Sequence, residues 1–492
     1  MLEVLTASNH RKFQLIQFLY QSDSFIHIDD LAQKLGAKVR TVYEDIREIS
    51  ESDLSHIFEI ESRSKEYSIR FHDNCSIDSF GNYIMKNNIC FNIIEYTLFN
   101  KNVTVDDLAD IYHISLPTVY RLIARINEGL KDNFEISFST SPCCLHGDEI
   151  EIRSFYIQYL TERYDINEWP FTDIDHDELL KMFTAFTDTL KFKLQYSDLK
   201  LLKLSLAVSH IRVSQGHTVD NQGVRTSGIL NMLNQSDQFF KIFSAVFKGD
   251  FHAQVFTDNL SYIISDYFFF NHDELLKSAT IDSYSAQSYI HLTQIINELA
   301  TEFDIPIDNR EMLIYNIHNS AQLGIRNINV RPLIINNKFM LLQQFRELFP
   351  KFYSSLKVKL ENYVELMEIK YNEDFIFHLM HSFVTRWENL FRNLLKSQRK
   401  IKVKVVSSHD IYHARLMQSI LQTEFYERVD TELIDSYNIE ALLETSDEVD
   451  LLIANFTLPI SDSRVIAVND IPTNKDINLI NHKIKEIRLS DN

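Results

Sequence analysis

The stretch IDDLAQKLGAKVRTVYEDIREI, residues 28–49, returns after a shift of 77 positions as VDDLADIYHISLPTVYRLIARI, residues 105–126. The shift carries Thr41-Val42-Tyr43 onto Thr118-Val119-Tyr120 without a gap. Because the match spans two elements and the turn between them, rather than one short word, it predicts a duplicated structural unit.

Each copy reads as a short helix, a tight turn and a longer helix. In the first copy Asp29 is expected to cap the short helix, and Gly36 permits the turn because glycine tolerates a positive φ. In the second copy Thr104 and Asp107 have the spacing of a capping box. The pattern therefore predicts two helix-turn-helix units near the N-terminus.

The longer helix of each copy has one apolar face. Residues three or four positions apart on a helix share a face, so this spacing predicts the buried side. The predicted core residues are Val39, Val42, Ile46 and Ile49 in the first copy and Val119, Leu122, Ile123 and Ile126 in the second.

The opposite, polar faces suit contact with double-stranded DNA. Arginine reaches phosphates and guanine edges, and Thr and Tyr hydroxyls bond phosphate oxygens. The candidate DNA contacts are Lys38, Arg40, Thr41, Tyr43 and Arg47 in the first copy, and Thr118, Tyr120, Arg121 and Arg125 in the second. Glu44 and Asp45 would repel phosphates if they faced them, and a purely protein-packing role for each helix pair is the alternative.

Alternating apolar residues after each copy predict a wing of two strands. The first wing is expected at residues 58–60 and 67–69, and the second at residues 134–138 and 149–152. Both units are therefore expected to be winged helix-turn-helix domains.

The composition limits the other classes of protein. Only 9 glycines and 8 prolines occur in 492 residues, so helices are favoured and glycine-rich phosphate loops are nearly excluded. The net charge of -20 means that any DNA-binding surface is confined to part of the molecule. Four cysteines without a C-x-x-C pair fit a reducing cytoplasm, and no apolar stretch is long enough to span a bilayer.

In the rest of the chain, the spacing of the apolar residues changes once, from a helical pattern to alternating short strands and helices. Residues 169–396 follow a helical pattern, with stretches such as 199–211, 289–303 and 374–394. After residue 400, short strands are predicted at 402–406, 429–434, 449–455 and 465–468, with helices at 412–425 and 438–443 between them. This alternation predicts a small α/β domain with a largely parallel sheet.

In this domain order the chain resembles the Mga/AtxA family of virulence regulators from Gram-positive bacteria. Two short sequence motifs also match the family. One is Leu145-His146-Gly147-Asp148-Glu149, followed by Ile152, Arg153 and Phe155, and the other is Trp169-Pro170-Phe171. The resemblance implies a mainly α, multidomain protein with winged helix-turn-helix domains at 1–72 and 73–160. It further implies two helical domains similar to phosphotransferase-system regulation domains, PRDs, at 165–278 and 279–397, and an enzyme IIB-like α/β domain at 400–492.

The same resemblance implies control by histidine phosphorylation. His318 stands eight residues before Arg326 and His378 eight before Arg386, which is similar to the two histidine-bearing helices of a PRD, so these are the candidate phosphosites. In the first helical repeat the equivalent positions hold Leu204 and Ile263. His210 and His217 lie out of register there and are weaker candidates, as is His272.

The enzyme IIB-like end departs from its family. Where a phosphate-carrying cysteine would follow the first strand, this chain has Ser407, Ser408 and His409. Because a thiolate is the acceptor in that chemistry, the domain is expected to hold subunits together rather than transfer phosphate. His409 stays open as an alternative acceptor.

The sequence therefore predicts a cytoplasmic DNA-binding transcription regulator, an activator by family expectation, that forms a dimer or larger homo-oligomer. A phosphocarrier protein of the sugar phosphotransferase system is the expected further partner. We expect no catalytic residue, cofactor, metal site or membrane contact. An RNA-binding PRD antiterminator and a phosphotransferase-system phosphocarrier are the alternatives; the first is disfavoured by the repeated helical unit and the second by the missing cysteine.

Overall fold

We describe the protein from a computed structural model. It describes residues 1–22, 24–131, 134–165, 168–190, 196–219, 246, 267–269, 271–325, 330–434, 449–458 and 463–490. The described residues are mainly helical, with two small antiparallel sheets near the N-terminus and one parallel sheet near the C-terminus.

The first helix-turn-helix unit is followed by a wing, as predicted. Its elements are α1 (Ala7–Tyr20), β1 (Ile26–His27), α2 (Ile28–Lys34), α3 (Val39–Ser50), β2 (Phe58–Arg63) and β3 (Glu66–Phe71). Strand β3 lies between β1 and β2 in an antiparallel sheet. Gly36 adopts φ +59° in the turn between α2 and α3, which explains the glycine there.

Two details of this unit correct the sequence analysis. Helix α2 begins at Ile28 and its N-cap is His27, whose Nδ1 accepts the backbone N–H of Asp29; Asp29 lies in the first turn and is not the cap. Val39 is 40% exposed rather than buried, because it is the first residue of α3. Val42, Ile46 and Ile49 are buried as predicted.

The second unit repeats the arrangement with two preceding helices and a shorter wing. It consists of α4 (Ile77–Asn87), α5 (Ile89–Phe99), α6 (Val105–Ile111), α7 (Leu116–Lys131), β4 (Ile136–Phe138) and β5 (Leu145–Gly147). The capping box of Thr104 and Asp107 is present. The strand predicted at residues 149–152 is wrong, since these residues begin helix α8 (Glu149–Arg163).

The N-terminal residues pack onto the second unit. Leu2–Val4 form a 3-10 turn, in which Val4 is fully buried. A Cβ on Gly129 of α7 would lie 3.2 Å from both Met1 Sδ and Val4 Cγ1, so the small residue allows this close contact. Because α1 starts three residues after Val4, the turn ties the first unit to the second.

The middle of the chain is helical. The described helices are α9 (His176–Leu190), α10 (Tyr196–Ser214), α11 (His272–Ala279), α12 (Ser283–Glu302), α13 (Arg310–Ile325), α14 (Asn337–Leu348), α15 (Pro350–Leu366), α16 (Glu373–Arg386) and α17 (Leu390–Ser397). The helix predicted over 374–394 is two helices, because Asn389 takes a left-handed conformation with φ +57° and interrupts it.

The C-terminal end is a parallel α/β sheet, as predicted. Its elements are β6 (Ile401–Val406), α18 (Ile411–Phe425), β7 (Val429–Leu433), β8 (Leu451–Ala454), β9 (Val465–Ala467) and α19 (Asn474–Ser490). The strand order is β7-β6-β8-β9 and every pairing is parallel. The helix predicted at 438–443 lies outside the described residues.

The chain forms two compact units. One contains Met1–Leu276, His318–Asn337 and Lys370–His378, and the other contains Lys277–Ile317, Lys338–Ile369 and Leu379–Asn492. Both helix-turn-helix units belong to the first, and the parallel sheet belongs to the second. None of the described helices combines the length and the apolar character that crossing a membrane requires.

Candidate nucleic-acid interface

The recognition helix of the first unit, α3, presents a polar face that carries as many acids as bases. Tyr43 is 56% exposed, as a DNA-contacting side chain must be. Arg40 Nε lies 3.0 Å from Glu44 Oε1, and Arg47 Nε lies 3.9 Å from Glu51 Oε1. Both predicted arginine contacts are thus already paired with carboxylates of their own helix.

Asp45, the other acid of concern, does not face solvent. It is 3% exposed and accepts two hydrogen bonds from Arg11 of α1, at 2.5 and 2.9 Å. This bidentate pair fixes α3 against α1. The carboxylate is therefore a packing group rather than a source of repulsion toward phosphates.

The recognition helix of the second unit, α7, is more basic. Tyr120 is 51% exposed, and Arg121 is exposed beside it. The 77-residue shift places Arg121 where the first unit has Glu44, and Arg125 where it has Glu48. Among the residues that the structure describes, neither arginine forms an ion pair.

Local contacts orient these two arginines differently. Arg121 Nη2 donates to Thr118 Oγ1 at 3.1 Å, and Thr118 Oγ1 lies 2.9 Å from Ser115 Oγ, so the arginine is held at the start of α7. Arg125 is half-buried. Burial raises the pKa of the Cys90 thiol to about 11, and the charge of Arg125 opposes that rise, which places the guanidinium near α5.

The other predicted contacts differ in exposure. Lys38 is exposed at the N-cap of α3, and Thr41 and Thr118 are half-buried one residue before each buried valine. Of the nine predicted DNA contacts, three are half-buried and six are exposed: Lys38, Arg40, Tyr43, Arg47, Tyr120 and Arg121.

The tip of the first wing holds a basic residue that the sequence analysis missed. Ser64 and Lys65 form the two-residue turn between β2 and β3, with φ +49° and +73°. Lys65 is exposed. The sequence pattern that could have indicated Lys65 is the short interval between two strands of alternating polarity, which predicts a hairpin turn. The residues of such a turn are exposed.

The predicted phosphosites are buried. His318 is fully buried, with Nε2 2.7 Å from the carbonyl oxygen of Tyr267. His378 is also buried, and its Nε2 lies 2.9 Å from Ser320 Oγ and 3.1 Å from the Ser320 carbonyl oxygen. Gly324 allows this packing, because a Cβ there would lie 2.5 Å from Phe375 Cε2. A phosphoryl donor reaches either ring only if the ring becomes exposed.

The weaker histidine candidates lie closer to solvent. His210 and His272 are half-buried and His217 is exposed. Partial burial, reinforced by the charge of Arg212, lowers the pKa of His217. Residues 257, 258, 263 and 326, on which the PRD register also depends, lie outside the described residues.

Comparison with protein families gives three matches along the chain. Residues 11–67 match a helix-turn-helix domain, and residues 73–160 match the Mga helix-turn-helix domain. Residues 152–390 match the PRD domain of the M protein trans-acting positive regulator. The matches overlap both recognition helices and the buried histidines.

Two regulators are similar to the chain over most of its length, and a third is similar over less than half of it. A trans-acting regulator of Streptococcus pneumoniae serotype 4 is 27% identical over 488 residues, 98% of each protein. The anthrax toxin expression trans-acting positive regulator of Bacillus anthracis is 21% identical over 490 residues, 97% of each. The capsule synthesis positive regulator AcpA of Bacillus anthracis is 23% identical over 209 residues, 42% of this chain and 43% of that protein.

Proposed function

Because the chain belongs to the Mga/AtxA family of trans-acting regulators, we propose that it binds promoter DNA through both recognition helices and activates transcription. The two Bacillus anthracis relatives are named as positive regulators, and no step of this role requires catalysis by the protein. The observation that carries the proposal is the pair Arg121 and Arg125 on α7, beside an exposed tyrosine and without a carboxylate partner among the described residues.

The two helices should contribute unequally. Arg40 and Arg47 of α3 form ion pairs with Glu44 and Glu51, whereas the arginines of α7 form none with the described residues. Each phosphate that a protein neutralises releases counterions and steepens the salt dependence of binding. We infer that α7 supplies most of the electrostatic affinity and that α3 contributes mainly orientation.

The test removes the two arginines of α7. Arg121→Ala with Arg125→Ala should weaken binding to promoter duplex and reduce the slope of log K against log salt by about 2, since each phosphate contact contributes about 0.9. Fluorescence anisotropy over a salt series measures both. The matched control is Arg392→Ala with Lys396→Ala, which removes the same charge from exposed positions on α17 and should leave the slope unchanged.

Equal loss in the control, or an unchanged slope in the α7 variant, contradicts the proposal. The same titration with RNA of matching sequence tests the antiterminator alternative, which requires RNA to bind more tightly than duplex DNA. A circular dichroism melt of each variant establishes that the fold is retained.

We further propose that phosphorylation and self-association regulate binding. The support for phosphorylation is the PRD match, which includes His318 of α13 and His378 of α16; these helices meet where His378 Nε2 lies 2.9 Å from Ser320 Oγ. Incubation with the phosphocarrier protein, its enzyme I and labelled phosphoenolpyruvate should label the chain, and His318→Ala with His378→Ala should remove the label. Full labelling of that double variant contradicts this assignment.

Self-association is assigned to the C-terminal domain, which we propose is enzyme IIB-like. Tyr412 and Leu416 lie one turn apart on α18 and are exposed, as residues that cover one another in an oligomer would be in an isolated chain. Light scattering of the Leu416→Glu variant should show a lower mass than that of the unaltered protein. An unchanged mass excludes this face as the contact.

A further inference from the structure

The loops at the carboxyl end of the C-terminal sheet bring three potential metal ligands together. Residues 407–410 connect the end of β6 to α18, and Asp470 follows β9 by three residues. Because all the strands are parallel, their carboxyl ends lie at one edge, which is where sheets of this kind bind ligands.

The three side chains are His409, His413 and Asp470. One potential ligand atom of each lies within 4.8 Å of the other two. His409 Nε2 is 3.2 Å from Asp470 Oδ1, and the two imidazole rings meet edge to face with centroids 4.9 Å apart. The histidines are separated by one helical turn across the start of α18, so the chain holds both on the same side.

Neighbouring groups hold these side chains in place. Ser407 Oγ lies 2.8 Å from His413 Nδ1, and Asp410 caps α18 by accepting the backbone N–H of His413 at 2.8 Å. Asn455 Nδ2 donates to Asp470 Oδ1 at 2.7 Å. Such outer contacts orient metal-binding side chains in known sites.

The cluster offers two imidazoles and a carboxylate. These are donor types that Zn²⁺ takes in proteins.

We propose that His409, His413 and Asp470 bind one divalent transition-metal ion of the Zn²⁺ class. Ligand atoms of a tetrahedral zinc ion lie about 3.3 Å apart, given bonds of about 2.0 Å. The pair His409 and Asp470 already has this separation, at 3.2 Å, so only His413 needs to approach. His409 and Asp470 are 55% and 62% exposed, which leaves the fourth position open to water.

The site was not visible in the sequence, because its ligands come from two segments of the chain, and His413 and Asp470 are 57 residues apart. The alternative explanation, without a metal ion, is a surface His–Asp ion pair with a second histidine nearby. An ion pair alone contributes little and binds no metal, so metal affinity distinguishes the two.

The experiment titrates the full chain with Co²⁺, after chelator treatment, and follows the visible absorption of the bound ion; competition with Zn²⁺ then gives the zinc affinity. We expect one site that weakens at least tenfold in Asp470→Asn and in His413→Ala, by analogy with the losses seen when outer contacts alone are removed. His409→Ala should weaken it similarly. The control is His482→Ala, an exposed histidine on α19 near Glu486, which should have no effect.

Three results would overturn the proposal: no Co²⁺ absorption in the unaltered chain, unchanged affinity in the double variant His409→Ala with His413→Ala, or equal loss in the His482 control. Thermal melts of the metal-free variants exclude unfolding as the cause of a loss. Asp470→Asn preserves the size of the side chain, so it keeps the test valid if a histidine variant fails to fold.

Discussion

Glu44 and Arg121 occupy equivalent positions of the two recognition helices, and they differ by two units of charge. Glu44 pairs with Arg40 of its own helix, whereas Arg121 donates to the Thr118 hydroxyl and pairs with no carboxylate of the described residues. A duplicated unit thus carries two different surfaces. Together with Arg125 in place of Glu48, this substitution makes α7 more basic than α3.

This difference can be tested by making the first helix resemble the second. Glu44→Arg should free Arg40 from its ion pair, add positive charge to the outer face of α3, and steepen the salt dependence of DNA binding by about 1 unit of slope. The measurement is anisotropy over a salt series. Glu365→Arg, the same change at an exposed position of α15, is the control; equal steepening there would show a nonspecific effect of net charge.

The polar faces could be predicted from the sequence because helical spacing separates them from the core. Helical spacing could not show that Asp45 is buried, since its partner Arg11 lies 34 positions earlier on another helix. It also placed Val39 in the core, although the first residue of a helix has no preceding turn to cover it. Long-range pairs and helix ends are where single-residue predictions were wrong.

At the scale of elements, α8 shows why the second wing was mispredicted. Glu149, Ile150, Glu151 and Ile152 alternate polar and apolar, which is a strand pattern. Asp148, however, caps the helix by accepting the N–H groups of Ile150 and Glu151 at 2.9 and 3.1 Å. The cap and the packing of the following aromatic residues stabilise a helix here. An alternation over only four residues reveals neither of them.

The same helix is fixed to α10 by a buried charge cluster. Glu149 accepts two hydrogen bonds from Arg212, at 3.0 and 2.7 Å, and one from Arg153 at 2.9 Å. Arg153 is fully buried and Arg212 is 2% exposed. Glu149 and Arg153 belong to the motif that begins at Leu145 and is shared with the family. This motif therefore has a structural role where the second unit joins the helical middle of the chain.

Glu149→Gln should therefore destabilise the protein by about 3 kcal/mol, because it removes the negative charge that faces two buried guanidinium groups. Urea unfolding measures the free energy. Glu365→Gln, at an exposed site, should change it by less than about 0.5 kcal/mol. A loss no greater than that in the control would mean that the cluster contributes nothing to stability.

The pH dependence follows from the same carboxylate. Burial acts to raise the pKa of Glu149, but the hydrogen bonds and charges of Arg212 and Arg153 outweigh it, so the pKa lies below the ordinary value. Its contribution to stability is therefore complete above the unfolded-state pKa of about 4.3 and is lost as the pH falls through the lower folded-state value. In Glu149→Gln this part of the acid-induced loss should be absent.

At the scale of the whole molecule, the first compact unit is assembled from separated parts of the chain. Glu162 of α8 is half-buried. Loss of hydration raises its pKa, and it accepts the backbone N–H groups of Leu333 and Ile334 at 2.7 and 2.9 Å. Asn319 bonds the backbone of Phe269. A Cβ on Gly81 would lie 2.6 Å from Ile335 Cδ1, so α4 also packs closely against this later segment.

A chain truncated at residue 278, the predicted end of the first PRD-like domain, should therefore be unstable. It would lack residues 318–337, so the half-buried Glu162 carboxyl would lose its backbone donors Leu333 and Ile334. We expect a lower melting temperature, or aggregation, compared with a chain of residues 1–397. Equal melting temperatures would show that the later segment is dispensable for the first unit.

The overall architecture was more predictable than the candidate sites. Strand positions in the C-terminal sheet followed from short apolar runs, since a parallel strand is buried on both faces. Leu451 and Ile453 are indeed fully buried. The cluster at His409 and the division of separate chain segments between the two compact units could not be predicted in this way. Both depend on residues that are far apart in the sequence, and the local spacing of apolar residues contains no information on them.

The 3-10 turn at Leu2–Val4 has a consequence for promoter architecture. The turn joins the start of α1 to Gly129 of α7, so the recognition helices α3 and α7 cannot rotate relative to one another without exposing Val4. A duplex repeats its major groove about every 10 base pairs. Two recognition helices held in this way should therefore require a fixed spacing between the two halves of a DNA site. Sites whose two halves are displaced by half a helical turn would then place one recognition helix on the opposite side of the DNA, and natural promoters should keep that spacing even where their base sequences diverge.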